Sequence, residues 1–109
     1  MMPKKGRFEV SEGYNGYANR ATWNVVLWLL NDEAIYNNWQ SQLAASIKYG
    51  MIADLDGYEA GSLVRFVLGT ETPDGVSTDD PAIDWDQVAS VFNERMAELR
   101  MARAICDQI

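Results

Sequence analysis

Hydrophobic positions crowd most densely between Tyr17 and Tyr36. There Trp23, Val26, Leu27 and Leu30 recur at the i, i+3, i+4, i+7 spacing of one helical face, while Val25, Trp28 and Leu29 cover most of the remaining cylinder. Only Arg20, Asn24 and Asn31 keep a narrow strip polar. A helix that is apolar nearly all round is packed on several sides or offers a face to a partner. Burying one Leu or Val side chain is worth roughly 1.5 to 3 kcal/mol, so this run is the expected anchor of the core. Asn19 stands just before it with a side chain able to accept from a first-turn N–H, and Thr22 is a rival cap.

At Asn31-Asp32-Glu33 one apolar pattern stops and another starts. Asn and Asp compete with the backbone for hydrogen bonds and favour caps, so the chain is expected to break at Asn31 or Asp32; one long helix kinked there is the alternative. A second helix then carries Ile35, Trp39, Leu43 and Ile47 on one face and closes at Gly50. Asp56 and Glu59 have the spacing of a capping box, with Leu55 and Ala60 placed as its hydrophobic staple. This third helix presents Ala60, Leu63, Val64 and Val67, with Phe66 beside them, and ends at Gly69. Leu63 to Leu68 is β-branched enough to pass for a strand, but caps and spacing agree on a helix.

Thr70 to Pro81, with Pro73, Gly75, Asp79, Asp80 and Pro81, lacks periodicity and reads as an exposed loop. Asp84 opens a fourth helix, with Gln87 at its third position and Ile83 and Val88 as staple. It runs through Trp85, Val88, Val91, Phe92, Met96, Leu99 and Ala102 toward Ile105. Its acids Asp84 and Asp86 sit at the N-terminus and its bases Arg95, Arg100 and Arg103 toward the C-terminus, as the macrodipole favours. The expected fold is all-α, a compact bundle of about four helices forming a single domain over 19–109. An irregular N-terminal arm, 1–18, precedes it. Within the arm, Tyr14-Asn15-Gly16-Tyr17 favours a turn and admits a short hairpin.

Composition narrows the chemistry. At 109 residues the chain can fold as one domain without disulfides or a structural metal. It has no histidine, which removes the commonest general base and metal ligand. Its one cysteine, Cys106, fits a reducing compartment; lying in a last turn without a neighbouring base, it reads as packing rather than as a nucleophile. Asp54-x-Asp56-Gly57 looks like a fragment of a calcium loop, but later ligands are not at the required offsets. Asp79, Asp80, Asp84 and Asp86 could gather around magnesium. Asp84 already has a capping role, however, and nothing nearby cradles phosphate, so a solvated acidic loop is preferred. There is no secretory signal, and the apolar run is far shorter than the ~20 residues of a transmembrane helix. These features point to a cytoplasmic protein that is not an enzyme and carries no cofactor or metal.

The formal charge of −7 is unevenly placed. Between Asp32 and Asp86 the acids Asp32, Glu33, Asp54, Asp56, Glu59, Glu71, Asp74, Asp79, Asp80, Asp84 and Asp86 meet only Lys48 and Arg65. Such a body is repelled by nucleic acid and anionic lipid and should seek basic partners, including a groove built to bind nucleic acid. The candidate partner-binding acids are Glu71, Asp74, Asp79, Asp80 and Asp86. Trp23, Trp28, Trp39 and Trp85 suit a core, but Trp28 points away from the Trp23–Leu27–Leu30 face and is the candidate aromatic hot spot.

The motif Asn19-Arg20-x-Thr22-Trp23-Asn24-Val25-x-Leu27-Trp28-Leu29-x-Asn31-Asp32-Glu33 resembles the opening signature of small uncharacterised proteins of bacteriophages and other mobile elements. Asp84-Trp85-Asp86-Gln87-Val88-Ala89 is similar to a looser second element of that group. The resemblance implies a phage or mobile-element origin and transfers no activity. With the charge it supports an expected role as an inhibitor of a host nucleic-acid-handling defence protein, of anti-CRISPR or anti-restriction type, by DNA mimicry. The partner would be a host protein with a basic nucleic-acid-binding surface, not nucleic acid or membrane, with self-association left open. The alternative is a regulatory subunit that binds through the Trp-rich helix.

Overall fold

Short polar side chains set where each helix begins. In the computed structural model, which describes residues 15–50 and 53–107 with side chains through 102, Asn19 caps α1 (Arg20–Asn31) by accepting from the Thr22 N–H at 2.9 Å. Asp32 caps α2 (Glu33–Lys48), accepting from Ile35 at 3.0 Å; the chain breaks here and is not one kinked helix. Asp56 and Glu59 close a full capping box on α3 (Gly57–Leu68). Asp84 accepts from the N–H groups of Asp86 and Gln87 at the start of α4 (Trp85–Asp107). These four helices make the all-α bundle, with no strand among the described residues. Leu63 to Leu68 is helical. Asn15 and Gly16 both take positive φ, 51° and 90°, as an Asn-Gly turn requires. Residues 1–14 of the arm, and the side chains of Arg103, Ile105 and Cys106, lie outside the described residues.

The core joins Val25, Val26 and Leu29 of α1 to Trp39 and Leu43 of α2, Ala60 and Val64 of α3, and Val88, Phe92 and Met96 of α4. Trp39 sits at its centre. Its ring packs edge-on against Tyr36 and Phe92, each with centroids 5.1 Å apart. Its indole N–H donates to the Leu29 carbonyl at 2.8 Å, one of the carbonyls that the break at Asp32 leaves without an intrahelical donor. One side chain thus supplies core volume and ties α2 to the end of α1.

The buried side of α1 differs from the expected one. Thr22, Val25, Val26 and Leu29 form the i, i+3, i+4, i+7 stripe, whereas Leu30 is 45% exposed and Trp23 and Leu27 are half-buried. When nearly every position is apolar, periodicity has no phase, and tertiary partners choose the face. Phe66 likewise turns outward, at 67% exposure, while Gly61 is buried beside Ala60 on α3. Helix α2 packs on all three others, but no Cα of α1 comes within 8 Å of one in α3. The segment between α3 and α4 bridges them instead.

Leu29→Ala should cost about 2 to 5 kcal/mol in urea denaturation, since a fully buried side chain leaves a cavity. Leu30→Ala should cost far less; equal losses would mean that Leu30 is the buried neighbour. Asp32→Ala should destabilise by ~1 kcal/mol. A gain in stability, as expected of alanine inside a continuous helix, would contradict the break.

Candidate functional site

The segment from Thr70 to Asp84 carries most of the candidate acids, and its shape follows from three tight turns and two threonines. Thr72-Pro73-Asp74-Gly75 is a tight turn closed by Gly75 N–H to the Thr72 carbonyl at 2.8 Å, with proline and glycine where such a turn prefers them. Gly75 takes φ 89°, and Thr72 N–H reaches the Val76 carbonyl at 2.8 Å, so Glu71 and Ser77 meet as an antiparallel bridge. Thr72 and Thr78 are buried. Thr78 donates to the Gly69 carbonyl at 2.8 Å, pinning the loop to the end of α3. The segment was expected to be a solvated loop; it is exposed at Glu71, Asp74 and Asp79, half-buried at Asp80 and Asp84, and anchored beneath.

The anchor on α1 is Asn24. Sequence pattern placed this residue on the exposed polar strip, yet it is 1% exposed. Its Oδ1 accepts from the Thr72 hydroxyl at 2.7 Å, and its Nδ2 donates to Asp74 Oδ2 at 2.9 Å. The Trp28 indole N–H donates to the same oxygen at 2.9 Å. Two of the proposed partner-binding residues therefore bind each other. Trp28, the candidate aromatic hot spot, is half-buried with its N–H engaged. Hydrogen bonds from Asn24 first, then Trp28, with the charge of Arg20 assisting, hold the Asp74 carboxyl below its ordinary pKa.

The other acids occupy distinct settings. Glu71 faces solvent across the turn. Asp79 is exposed and pairs with Arg65 at 3.3 Å, a surface contact worth little on its own. Asp80 accepts from Ala82 N–H at 2.9 Å in a local turn. Asp86 stands beside the first residue of α3, where a Cβ on Gly57 would lie 3.1 Å from its Oδ1; it is thus near the positive ends of both α3 and α4. Asp54 pairs with Arg100 at 3.2 Å and Asp56 caps α3, so neither joins the other in a calcium loop. Among the described residues no three acids or cysteines converge as a metal site, because Asp84, Asp79 and Asp80 are each directed to the separate partners above.

The two sequence motifs also meet. Thr22 is not a cap: its hydroxyl donates to Asn19 Oδ1 and accepts the Asp84 N–H, both at 2.9 Å. Asn19 Nδ2 donates to the Ala82 carbonyl. Gln87 does not fold back to complete a capping box, since Thr22 has taken that N–H; its Oε1 accepts from Ala18 at 2.7 Å instead. Helix starts more than sixty residues apart in sequence are stitched together by the motif side chains.

Residues 10–100 match DUF7249, a family of unknown function. The chain belongs to that family. No curated protein and no solved structure gives a match. In this DUF7249 member no helix among the described residues is long and apolar enough to cross a membrane. The residues that sequence reasoning missed are Asn24, Thr72 and Thr78, whose bonds define the loop on which the acids stand.

Removing the Asn24 amide should be costly. Asn24→Ala leaves the Thr72 hydroxyl without its acceptor and should cost about 1 to 3 kcal/mol. Asp74 has a folded pKa below its unfolded value of ~3.9. Its stabilising effect is therefore present above the unfolded pKa and is lost as pH falls through the lower folded one. Asp74→Asn should be less stable than wild type at pH 7, and the gap should close below about pH 4. A gap that persists in acid would rule out the ionised carboxylate as its source.

Proposed function

We propose that this chain is a binding protein without catalytic activity, encoded by a phage or mobile element. It inhibits a host nucleic-acid-handling defence protein, such as a CRISPR effector or restriction enzyme, by occupying that protein's basic surface in place of DNA. The observation that carries this reading is the loop: Glu71, Asp79 and Asp80 stand on a backbone fixed from below by buried Thr72 and Thr78. Carboxylates held on a rigid frame can present charge to a cationic groove with little ordering cost on binding, an advantage that a solvated loop lacks. Duplex DNA carries one charge per ~1.7 Å of axis, so several fixed acids within one short loop compete for the same sites. The alternative, an apolar contact through Trp28, is less well supported because that indole is half-buried and bonded to Asp74.

The test combines Glu71→Gln, Asp79→Asn and Asp80→Asn. Asp74 is left intact because it holds the loop, and Asp86 because it rests on two helix starts. The triple variant should keep its fold and associate about tenfold more slowly with a purified effector at low salt, since rim charge acts mainly on association rate. Wild-type association should itself slow as salt rises. In a filter-binding competition the wild-type protein should displace DNA from the effector. Simultaneous tight binding of both would rule out occlusion, and a Trp28→Ala variant that alone loses binding would favour the apolar reading.

A further inference from the structure

A groove lined by none of the candidate acids runs along α4 and calls for a specific kind of ligand. One wall is the face Gln87, Val91, Glu94 and Glu98, spaced at helical intervals. Tyr17, Leu30 and Tyr36 form the other, contributed by the segment before α1, the end of α1, and α2. Two clefts of about 260 and 190 Å³ share Tyr17, Val91 and Glu94 and so lie side by side along the helix. From Gln87 to Glu98 the helix rises about 16 Å, the span of about five extended residues at ~3.3 Å each.

Charge selects the occupant. Arg95, the one base lining the groove among the described residues, is already engaged: it donates to Glu98 Oε1 at 2.8 Å and to the Gln40 side chain. Glu98 thus already has a cationic partner. Glu94 is exposed and makes no ion pair among the described residues, leaving a carboxylate beside two tyrosines and two aliphatic side chains. An aromatic wall with a carboxylate at its rim favours a cation carried on an apolar stem, by cation–π attraction, stem burial and a charge-assisted hydrogen bond together. Arginine suits it better than lysine, because a planar guanidinium can stack on a tyrosine face while its fork meets the carboxylate.

We infer that this groove binds an extended segment of a partner protein and that Glu94 receives an arginine side chain from that segment. None of Glu71, Asp74, Asp79, Asp80 or Asp86 lines the groove, so the inference does not depend on the acidic loop.

The full-length ¹⁵N-labelled chain would be titrated by NMR with a capped pentapeptide of glycines around a central arginine. Matched peptides would carry citrulline, its neutral near-isostere, or glutamate. The arginine peptide should shift the amides of Tyr17, Tyr36, Val91 and Glu94 saturably in the millimolar range, and citrulline should bind more weakly. Glu94→Gln should lower the affinity roughly two- to fivefold, the scale of one exposed charged contact. Glu33→Gln, which removes an exposed acid outside the groove, should leave it unchanged. Preserved spectral dispersion would show that each variant is folded. Equal binding of citrulline or glutamate, shifts located elsewhere, no saturable shift, or equal loss in both variants would overturn the assignment. These peptides do not probe DNA displacement, so their failure would leave the acidic-loop reading to its own competition test.

Discussion

The amide of Asn24 sets a constraint that much of this structure obeys. A side-chain amide buried to 1% exposure must be hydrogen-bonded or cost the fold several times what an average bond returns. Its partners, the Thr72 hydroxyl and the Asp74 carboxylate, come from the segment that joins α3 to α4. Satisfying Asn24 therefore brings that segment down onto α1, to which α3 makes no close backbone approach. Thr78 holds the other arm of the turn to the end of α3, and Thr22 receives the N–H of Asp84 where α4 begins. The positions of the loop acids follow from these internal bonds.

Signals carried within four residues of one another were legible in the sequence. Asn19, Asp32, Asp56 with Glu59, and Asp84 announced their helices because a cap is a local interaction and needs no knowledge of the fold. Trp39 and Leu43 were legible for a related reason: α2 is polar enough for its apolar face to have a phase. What escaped was non-local. Asn24 looks like a solvent-facing residue until Thr72, 48 positions away, is brought beside it. Gln87 obeyed the local rule for a capping box in sequence but not in space, because a hydroxyl from α1 satisfied the N–H it would have taken. The acidic loop hid its two threonines among prolines, glycines and carboxylates, where composition argues for solvent and only tertiary bonding argues for burial.

The same facts bear on what the motif means. Asn19, Thr22, Asn24, Trp28 and Asp32 each make a hydrogen bond that starts a helix, joins two helix starts or holds the loop. Side chains with those tasks are constrained by the fold itself. Membership in DUF7249 through residues 10–100 thus speaks to the fold and does not specify a partner. Fold and proposed function occupy different side chains, with Asp74 on the boundary between them.

Rigidity links those two sets. A flexible acidic loop must lose backbone freedom when it settles on a cationic surface, at roughly 1 to 2 kcal/mol per residue fixed. A loop already held through Thr72, Asp74 and Thr78 has met that cost during folding. Its remaining acids can then act on association rate without an ordering penalty. This coupling separates charge from frame: neutralising Glu71 removes attraction, whereas removing the Asn24 amide leaves every loop charge in place and releases its support. If frame matters to binding, the Asn24 change should weaken the complex even though no exposed charge is altered. Charge alone would make the two kinds of variant diverge, because long-range attraction depends on net charge more than on the fixed position of each carboxylate.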